Sequence, residues 1–406
     1  MVRVLMNGCN GKMGQVVSRI VAETEGMELA AGVDQWLGRE NPYPTFASIE
    51  ACDVPVDVVI DFSNAAGTDA MLEACVEKGL PIVLCTTGLS EEQIEQVKKI
   101  QKAMAIIQFK VEARLIEENP SFGLDDRNLL HLVDYENKSI VVDGVEYELL
   151  DTFFPTVDPA DPYRLTPGEE QVVEHLCAAF TGCEKLQRHI GFFITAGSLY
   201  KVSGNNLLYH ACVPLNADGS FKEANIYGQT LSGKALFDAV DGYVRAAYEA
   251  TDPVERKRGC DLLWYLWLAP GSPLFAKSKM ATFELYLIAD KAARKEVKNP
   301  YYSMLDDPAV VRSILEEFGL DAASGRLLCG HVPVKVKDGE NPIKAGGQAL
   351  MIDGGFSAAY QGTTGLGGMC MVSSSDGVEL DLLEPFDGRS AAIENDADLR
   401  MERRAL

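Results

Sequence analysis

The sequence predicts an α/β protein: a doubly wound parallel sheet in the first hundred or so residues, then a larger mixed α/β region. Three observations carry this. The chain opens with a strand, a glycine-rich turn, a helix and a second strand ending in an acid. Strands and helices then keep alternating, the pattern of a parallel sheet with crossover helices. Much later, two apolar runs each deliver a histidine at their carboxyl end.

Val2–Met6 reads as a buried strand, and Gly8-Cys9-Asn10-Gly11-Lys12-Met13-Gly14 follows at once. A helical pattern runs from Met13 to Glu23, and Met27–Val33 is a second strand reaching Asp34, twenty residues beyond Gly14. Glycines let the backbone approach a pyrophosphate, a helix N-terminus offers free N–H groups, and an acid at this distance can bond a ribose. Gly8 to Gly14 and Asp34 are therefore candidate dinucleotide contacts. Val56–Phe62 is a third strand, Gly67–Lys78 a helix and Pro81–Cys85 a further strand, closed by Thr86-Thr87-Gly88.

Ser90-Glu91-Glu92-Gln93 is a capping-box pattern, and apolar residues recur at three and four from Ile94 to Leu115. This reads as one amphipathic helix stopped by Asn119-Pro120, or as a helix broken near Lys102 with a short strand over Ala103–Phe109. Ser139–Leu149 is a strand-turn-strand with its turn at Asp143-Gly144, Thr152–Thr166 a loop, and Glu169–Phe180 a helix. Leu207–Tyr209 delivers His210, and a short apolar run after Arg326 ends in Gly330-His331; neutral imidazoles at strand ends suit Zn, Mn or Fe. His131 and His175 read as capping or packing residues. Arg188, Lys277 and Lys279 could meet a phosphate or simply solvate.

With 47% hydrophobic residues in a chain of 406, there is enough apolar content for two or three domains. The net charge of −23, with no Lys/Arg-rich cluster, excludes nucleic acid and anionic membrane as expected partners. Ten scattered cysteines without framework spacing suit reduced thiols, and no run is long enough to span a bilayer, so a cytoplasmic location is expected. Beyond about Asp387 the chain is polar and a frayed tail is expected.

Gly8–Gly14, Asp57–Ser63 and Cys85–Ser90 resemble the N-terminal part of dihydrodipicolinate reductase, the lysine-biosynthesis enzyme that reduces a cyclic imine with NADH or NADPH. The resemblance implies a Rossmann-like domain over 1–99. It implies cofactor contacts at Gly8, Cys9, Asn10, Gly11, Lys12, Met13 and Gly14, at Asp34, and at Cys85, Thr86 and Thr87. Cys85 stands where many relatives have glycine. Asp34 points to NADH, and Lys12 keeps NADPH open. The family's His-His helix, later lysine and Ser-Gly-Thr motif do not occur in this sequence.

Gly330-His331-Val332-Pro333 through Ile352-Asp353-Gly354-Gly355-Phe356-Ser357 closely resembles the end of class 3 fructose-1,6-bisphosphatases, bacterial calcineurin-like two-metal phosphatases of gluconeogenesis. Asp158–Tyr163, Glu184–His189, Asn206–His210 and Ser272–Phe283 extend the match over about 100–386. The resemblance implies an incomplete calcineurin-like metallophosphatase α/β sandwich. His210 and His331 would be metal ligands, Mn2+ or a similar divalent metal the cofactor, and a sugar bisphosphate the substrate hydrolysed at its 1-phosphate. The family's early Asp-x-His, Gly-Asp-x-x-Asp and Gly-Asn-His motifs are absent. Two histidines are too few for a two-metal centre, although Asp218 or Asp353 could add a ligand. The expectation is a chimera that is inactive or nearly so alone, with a homo-oligomer or a chain that complements the missing half left open as its partner. The alternatives are a reductase without its catalytic half and a non-enzymatic nucleotide-binding chimera.

Overall fold

A computed structural model describes residues 1–355, 362–365, 368–374, 377–383, 389–395 and 401–406. The chain divides into two compact units, residues 1–108 with 166–189, and residues 109–165 with 190–406.

The first unit is built on β1 (Val2–Asn7), α1 (Lys12–Glu23), β2 (Met27–Val33), β3 (Thr45–Phe46), β4 (Val58–Asp61), α2 (Thr68–Lys78) and β5 (Ile82–Leu84). Its five strands stand in the order β3-β2-β1-β4-β5 and every pairing is parallel. Val4, Leu5 and Met6 are all buried, as a parallel strand covered on both faces requires. Leu5, Val33, Val59, Met71 and Leu72 join in one apolar cluster. The chain runs outward from β1 through β2 and β3, then returns to the other side of β1 for β4. That reversal opens a crevice at the carboxyl ends of the strands.

α3 (Glu91–Glu118) is a single helix of 28 residues, so the alternative with a strand over Ala103–Phe109 is not what forms. Ser90 and Gln93 make the capping box: Gln93 N–H donates to Ser90 Oγ at 3.2 Å and Ser90 N–H to Gln93 Oε1 at 3.0 Å. The sequence-based boundary at 99/100 falls inside this helix. α4 (Pro167–Thr181) starts with a second capping box, Thr166 with Glu169, and α5 (Glu184–Ala196) follows.

In the second unit β6 (Ser139–Val142) and β7 (Val145–Glu148) form the expected hairpin. Asp143 and Gly144 both take positive φ, 52° and 78°, as a two-residue hairpin turn of this hand demands. β8 (Tyr200–Ser203) and β9 (Asn206–Tyr209) precede a small hairpin, β10 (Ala224–Ile226) with β11 (Gln229–Leu231). Helices α6 (Gly233–Glu249) and α7 (Pro253–Leu268) bury Leu236, Val240, Leu262 and Leu266 together. Then come α8 (Thr282–Leu287), α9 (Tyr301–Met304), α10 (Pro308–Glu317), β12 (Arg326–Cys329), β13 (Ile343–Lys344) and β14 (Ala349–Met351). The main sheet has the order β13-β14-β12-β9-β8, with β9, β12 and β14 parallel and both edge strands antiparallel. Leu207, Tyr209, Leu327, Cys329 and Met351 pack with Ile314 and Leu315 of α10 beneath it.

One expectation is corrected at the carboxyl end. β15 (Gly368–Ser374), β16 (Gly377–Leu383) and β17 (Met401–Ala405) form an antiparallel sheet, so residues 401–405 are not frayed. The strand escapes an apolar pattern because backbone pairing and charge hold it: Arg403 Nε donates to the buried Asp381 carboxylate at 2.8 Å. Phe356, Ser357 and the expected boundary at 386/387 lie outside the described residues.

Candidate functional site

A cleft of about 400 Å3 opens where β1, β2 and β4 end, and Gly8, Gly11, Asp34 and Ser63 are among its lining residues. Gly8 turns there with φ +80°, and a Cβ on it would lie 2.6 Å from the Phe62 carbonyl oxygen. Gly14 seats α1 on that turn, since a Cβ on it would stand 2.0 Å from the Gly8 carbonyl oxygen. No side chain caps α1 at Gly11, which leaves its N-terminal end open to an anion. The Asp34 carboxylate accepts from the Asn10 N–H at 2.9 Å and the Trp36 N–H at 3.0 Å, tying the acid to the glycine loop.

The other expected contacts are placed unequally. Asn10 is held by its side chain, donating to the Trp36 carbonyl at 2.6 Å and accepting from Asn41 at 2.9 Å. Lys12 and Met13 are exposed on the first turn of α1. Cys9 is fully buried, does not line the cleft, and has its thiol pushed up to about 11 by burial first and the Asp34 charge second. Cys85 is half-buried and Thr87 exposed, and neither lines the cleft. Thr86 is buried and turns its hydroxyl inward, donating to Asp61 at 2.5 Å.

The histidines meet through strand register. Leu208 of β9 stands beside Leu328 of β12, so His210 and His331 leave the sheet at the same edge. The Gly330 N–H donates to the His210 carbonyl at 2.9 Å, and His331 turns into the left-handed region at φ 65°. His210 Nε2 then lies 3.1 Å from His331 Nδ1, while His331 Nε2 lies 3.1 Å from the Phe275 carbonyl oxygen. A carbonyl only accepts, so a neutral His331 carries its proton on Nε2 and offers the Nδ1 lone pair, to which His210 Nε2–H donates. Burial lowers both imidazoles from their ordinary range; the His210 neighbour lowers His331 further, while Asp353 pulls the other way.

Two nitrogens 3.1 Å apart are spaced much as neighbouring ligands would be on an ion with bonds of about 2.1 Å. A catalytic centre needs at least three protein ligands. Among the described residues no group of three or more His, Cys, Asp or Glu comes together to hold a metal. Asp218 is engaged in its own turn, accepting from Ser220 Oγ at 2.6 Å. The pair fits as part of a metal site and does not make one.

The family follows from the sequence match around this geometry. A profile of Firmicute fructose-1,6-bisphosphatase matches residues 69–406. The chain belongs to that family. A profile of the dihydrodipicolinate reductase N-terminus matches residues 2–110, so the two matched ranges overlap over 69–110. Class 3 fructose-1,6-bisphosphatases of Clostridium novyi and Bacteroides fragilis are each 47% identical over 312 residues, covering 77% of this chain and 47% of the relative. That of Listeria innocua is 42% identical over 318 residues, 78% of this chain and 49% of the relative. The chain spans about half the length of these curated relatives. A solved dihydrodipicolinate reductase from Paenisporosarcina sp. TG-14, with dipicolinate bound, is 24% identical over 29% of this chain and 53% of its own. The TM-score is 0.23.

For this fructose-1,6-bisphosphatase relative, sequence reasoning left out two residues that organise the sites. Asp61 is fully buried and accepts from Asn7 Nδ2 at 2.8 Å as well as from Thr86, linking β1, β4 and the Thr86 turn. Phe275 orients His331 through its carbonyl, which no side-chain motif could announce. Of the candidate phosphate cations, Arg188 pairs weakly with Glu25 at 3.4 Å. Lys279 is taken by Asp143 at 2.6 Å and Glu284 at 3.2 Å. His131 packs on Tyr163, 2.7 Å from its hydroxyl, and His175 is exposed on α4.

Proposed function

We propose that the chain supplies the histidine part of a class 3 fructose-1,6-bisphosphatase centre and that alone it releases the 1-phosphate of fructose-1,6-bisphosphate at no more than background. The observation that carries this is the His210–His331 pair without a third donor among the described residues. His210 Nε2 and His331 Nδ1 would hold Mn2+ or a similar divalent ion, with the Phe275 carbonyl fixing the His331 tautomer, as outer partners of metal-bound histidines do. Such an ion polarises a phosphoryl oxygen and lowers the pKa of bound water. The remaining ligands would come from a complementing polypeptide or another copy of the chain. The ten cysteines are all free, which supports work in a reducing cytoplasm.

The test is phosphate release from fructose-1,6-bisphosphate with added manganese, for the parent chain and His331→Ala. Both should stay at background. Sustained turnover by the parent that the variant loses would show the centre to be complete.

The cleft favours a second role, binding NADH or NADPH without imine reduction, because Gly8, Gly11 and Asp34 line it together. We place the junction of the two family segments near 99/100, inside α3. Calorimetric titration of both cofactors into the chain checks the binding; no heat with either would end this reading.

A further inference from the structure

We propose that Lys298, with Lys277 opposite it, forms a subsite for a phosphate group of a sugar bisphosphate beside the histidine pair, an inference that rests on the phosphatase reading above. The two lysines face each other across an isolated antiparallel bridge. Ser278 N–H donates to the Val297 carbonyl at 2.8 Å and Asn299 N–H to the Ala276 carbonyl at 2.9 Å, which fixes both backbones. Like charges directly opposite on a ladder repel. Glu296 answers only one of them, at 2.6 Å from Lys277 Nζ. Lys298 is exposed and makes no ion pair among the described residues.

The bridge reaches the histidines by two routes. Phe275, two residues before Lys277, gives its carbonyl to His331 at 3.1 Å. Tyr302, four residues after Lys298, donates its hydroxyl to the Ala211 carbonyl at 3.1 Å, next to His210. Each ammonium rests near the ring of the same residue: Lys277 Nζ is 5.8 Å from the Phe275 centroid and Lys298 Nζ 5.8 Å from the Tyr302 centroid. Ala276 and His331, which flank the Phe275 contact, both hold positive φ, 57° and 65°. Non-glycine residues in that region gather at ligand sites, where the surrounding structure must hold them.

Glu296 is taken by Lys277, so the charge of Lys298 is left for a ligand, and a phosphate answers it. Lysine binds phosphate as a point charge, without the planar match that arginine needs. The ligand class is therefore a phosphate monoester dianion.

The experiment is calorimetric titration of the full chain with fructose-1,6-bisphosphate and with inorganic phosphate, for the parent, Lys298→Ala, Lys298→Arg and Lys291→Ala. Lys298→Ala should weaken the bisphosphate about tenfold, the usual size for losing one charge-assisted contact. Lys298→Arg should keep most of the affinity, and Lys291→Ala, an exposed lysine elsewhere in the unit, should match the parent. Matching melting curves confirm that folding is unchanged. Equal bisphosphate affinity in the parent and Lys298→Ala overturns the subsite, as does absence of any phosphate binding by the parent. Manganese titration runs alongside: whatever weak affinity the two imidazoles give the parent should persist in Lys298→Ala and be lost in His331→Ala. Failure of that arm alone counts against the metal reading and leaves the phosphate result standing.

Discussion

Gly14→Ala isolates the packing on which the glycine loop depends. Inside a helix, glycine to alanine normally stabilises by about 1 kcal/mol. At Gly14 the new Cβ would lie 2.0 Å from the Gly8 carbonyl oxygen, 2.9 Å from its carbon and 3.0 Å from the Cys9 Cα. All three are backbone atoms, so no side-chain rotation relieves the overlap. Gly8 cannot retreat either, because its own α-carbon is backed by the Phe62 carbonyl. Overpacking costs about 1–3 kcal/mol, and an overlap this deep belongs at the upper end. Subtracting the helical gain leaves a net loss of about 2 kcal/mol. Gly168→Ala in α4 is the counterpart: nothing lies within 4 Å of its Cβ position, so it should gain about 0.5–1 kcal/mol. Urea denaturation followed by circular dichroism reads both, and NADH titration should show weakened binding for Gly14→Ala alone. A Gly14→Ala protein as stable as the parent, with parental NADH affinity, would refute the packing argument.

Two further outcomes are open to measurement. Glu284 is fully buried and takes Arg127 Nη2 at 2.9 Å and Lys279 at 3.2 Å, so Glu284→Gln, which leaves Arg127 uncompensated and Lys279 with Asp143 alone, should cost about 3 kcal/mol in chemical denaturation; a loss under about 1 kcal/mol would mean that Arg127 finds water. Burial pushes the thiols of Cys9 and Cys75 from about 9 up to about 11, so their contribution to stability is full below pH 9 and fades as pH rises through 11. Melting curves from pH 8 to 11 should fall less steeply in Cys9→Ala, and identical slopes would count against that burial.

The sequence was most legible where local chemistry decides structure. β2 and β12 fall on the residues that the apolar runs mark, because their inner parts, residues 31–33 and 327–329, are buried and apolar. α3 carries its start in Ser90 and Gln93 and its stop in Asn119-Pro120, and the Asp143-Gly144 turn demands a hairpin. Pairings that depend on distant partners were not legible. β17 exists because β16 is beside it, and its exposed face asks for no apolar pattern. In the candidate site, the imidazoles could be singled out, but not the carbonyl of Phe275 that orients one of them. Asp61 looked like any strand-end acid until Asn7 and Thr86 closed on it.

The parallel pairing of β9 with β12 brings the two imidazoles together whatever the length of the chain between them. More than a hundred residues of hairpin, helices and turns separate His210 from His331, yet their ring nitrogens sit 3.1 Å apart because Leu208 stands beside Leu328. The entropy of closing such a long excursion grows only logarithmically, by about 0.6 kcal/mol for each doubling of its length. Material inserted at the exposed Asn216–Ser220 turn would therefore leave the two rings where they are, at a small cost in stability. Slipping β12 by one residue along β9 would separate them at once, although every side chain of both strands would remain the same.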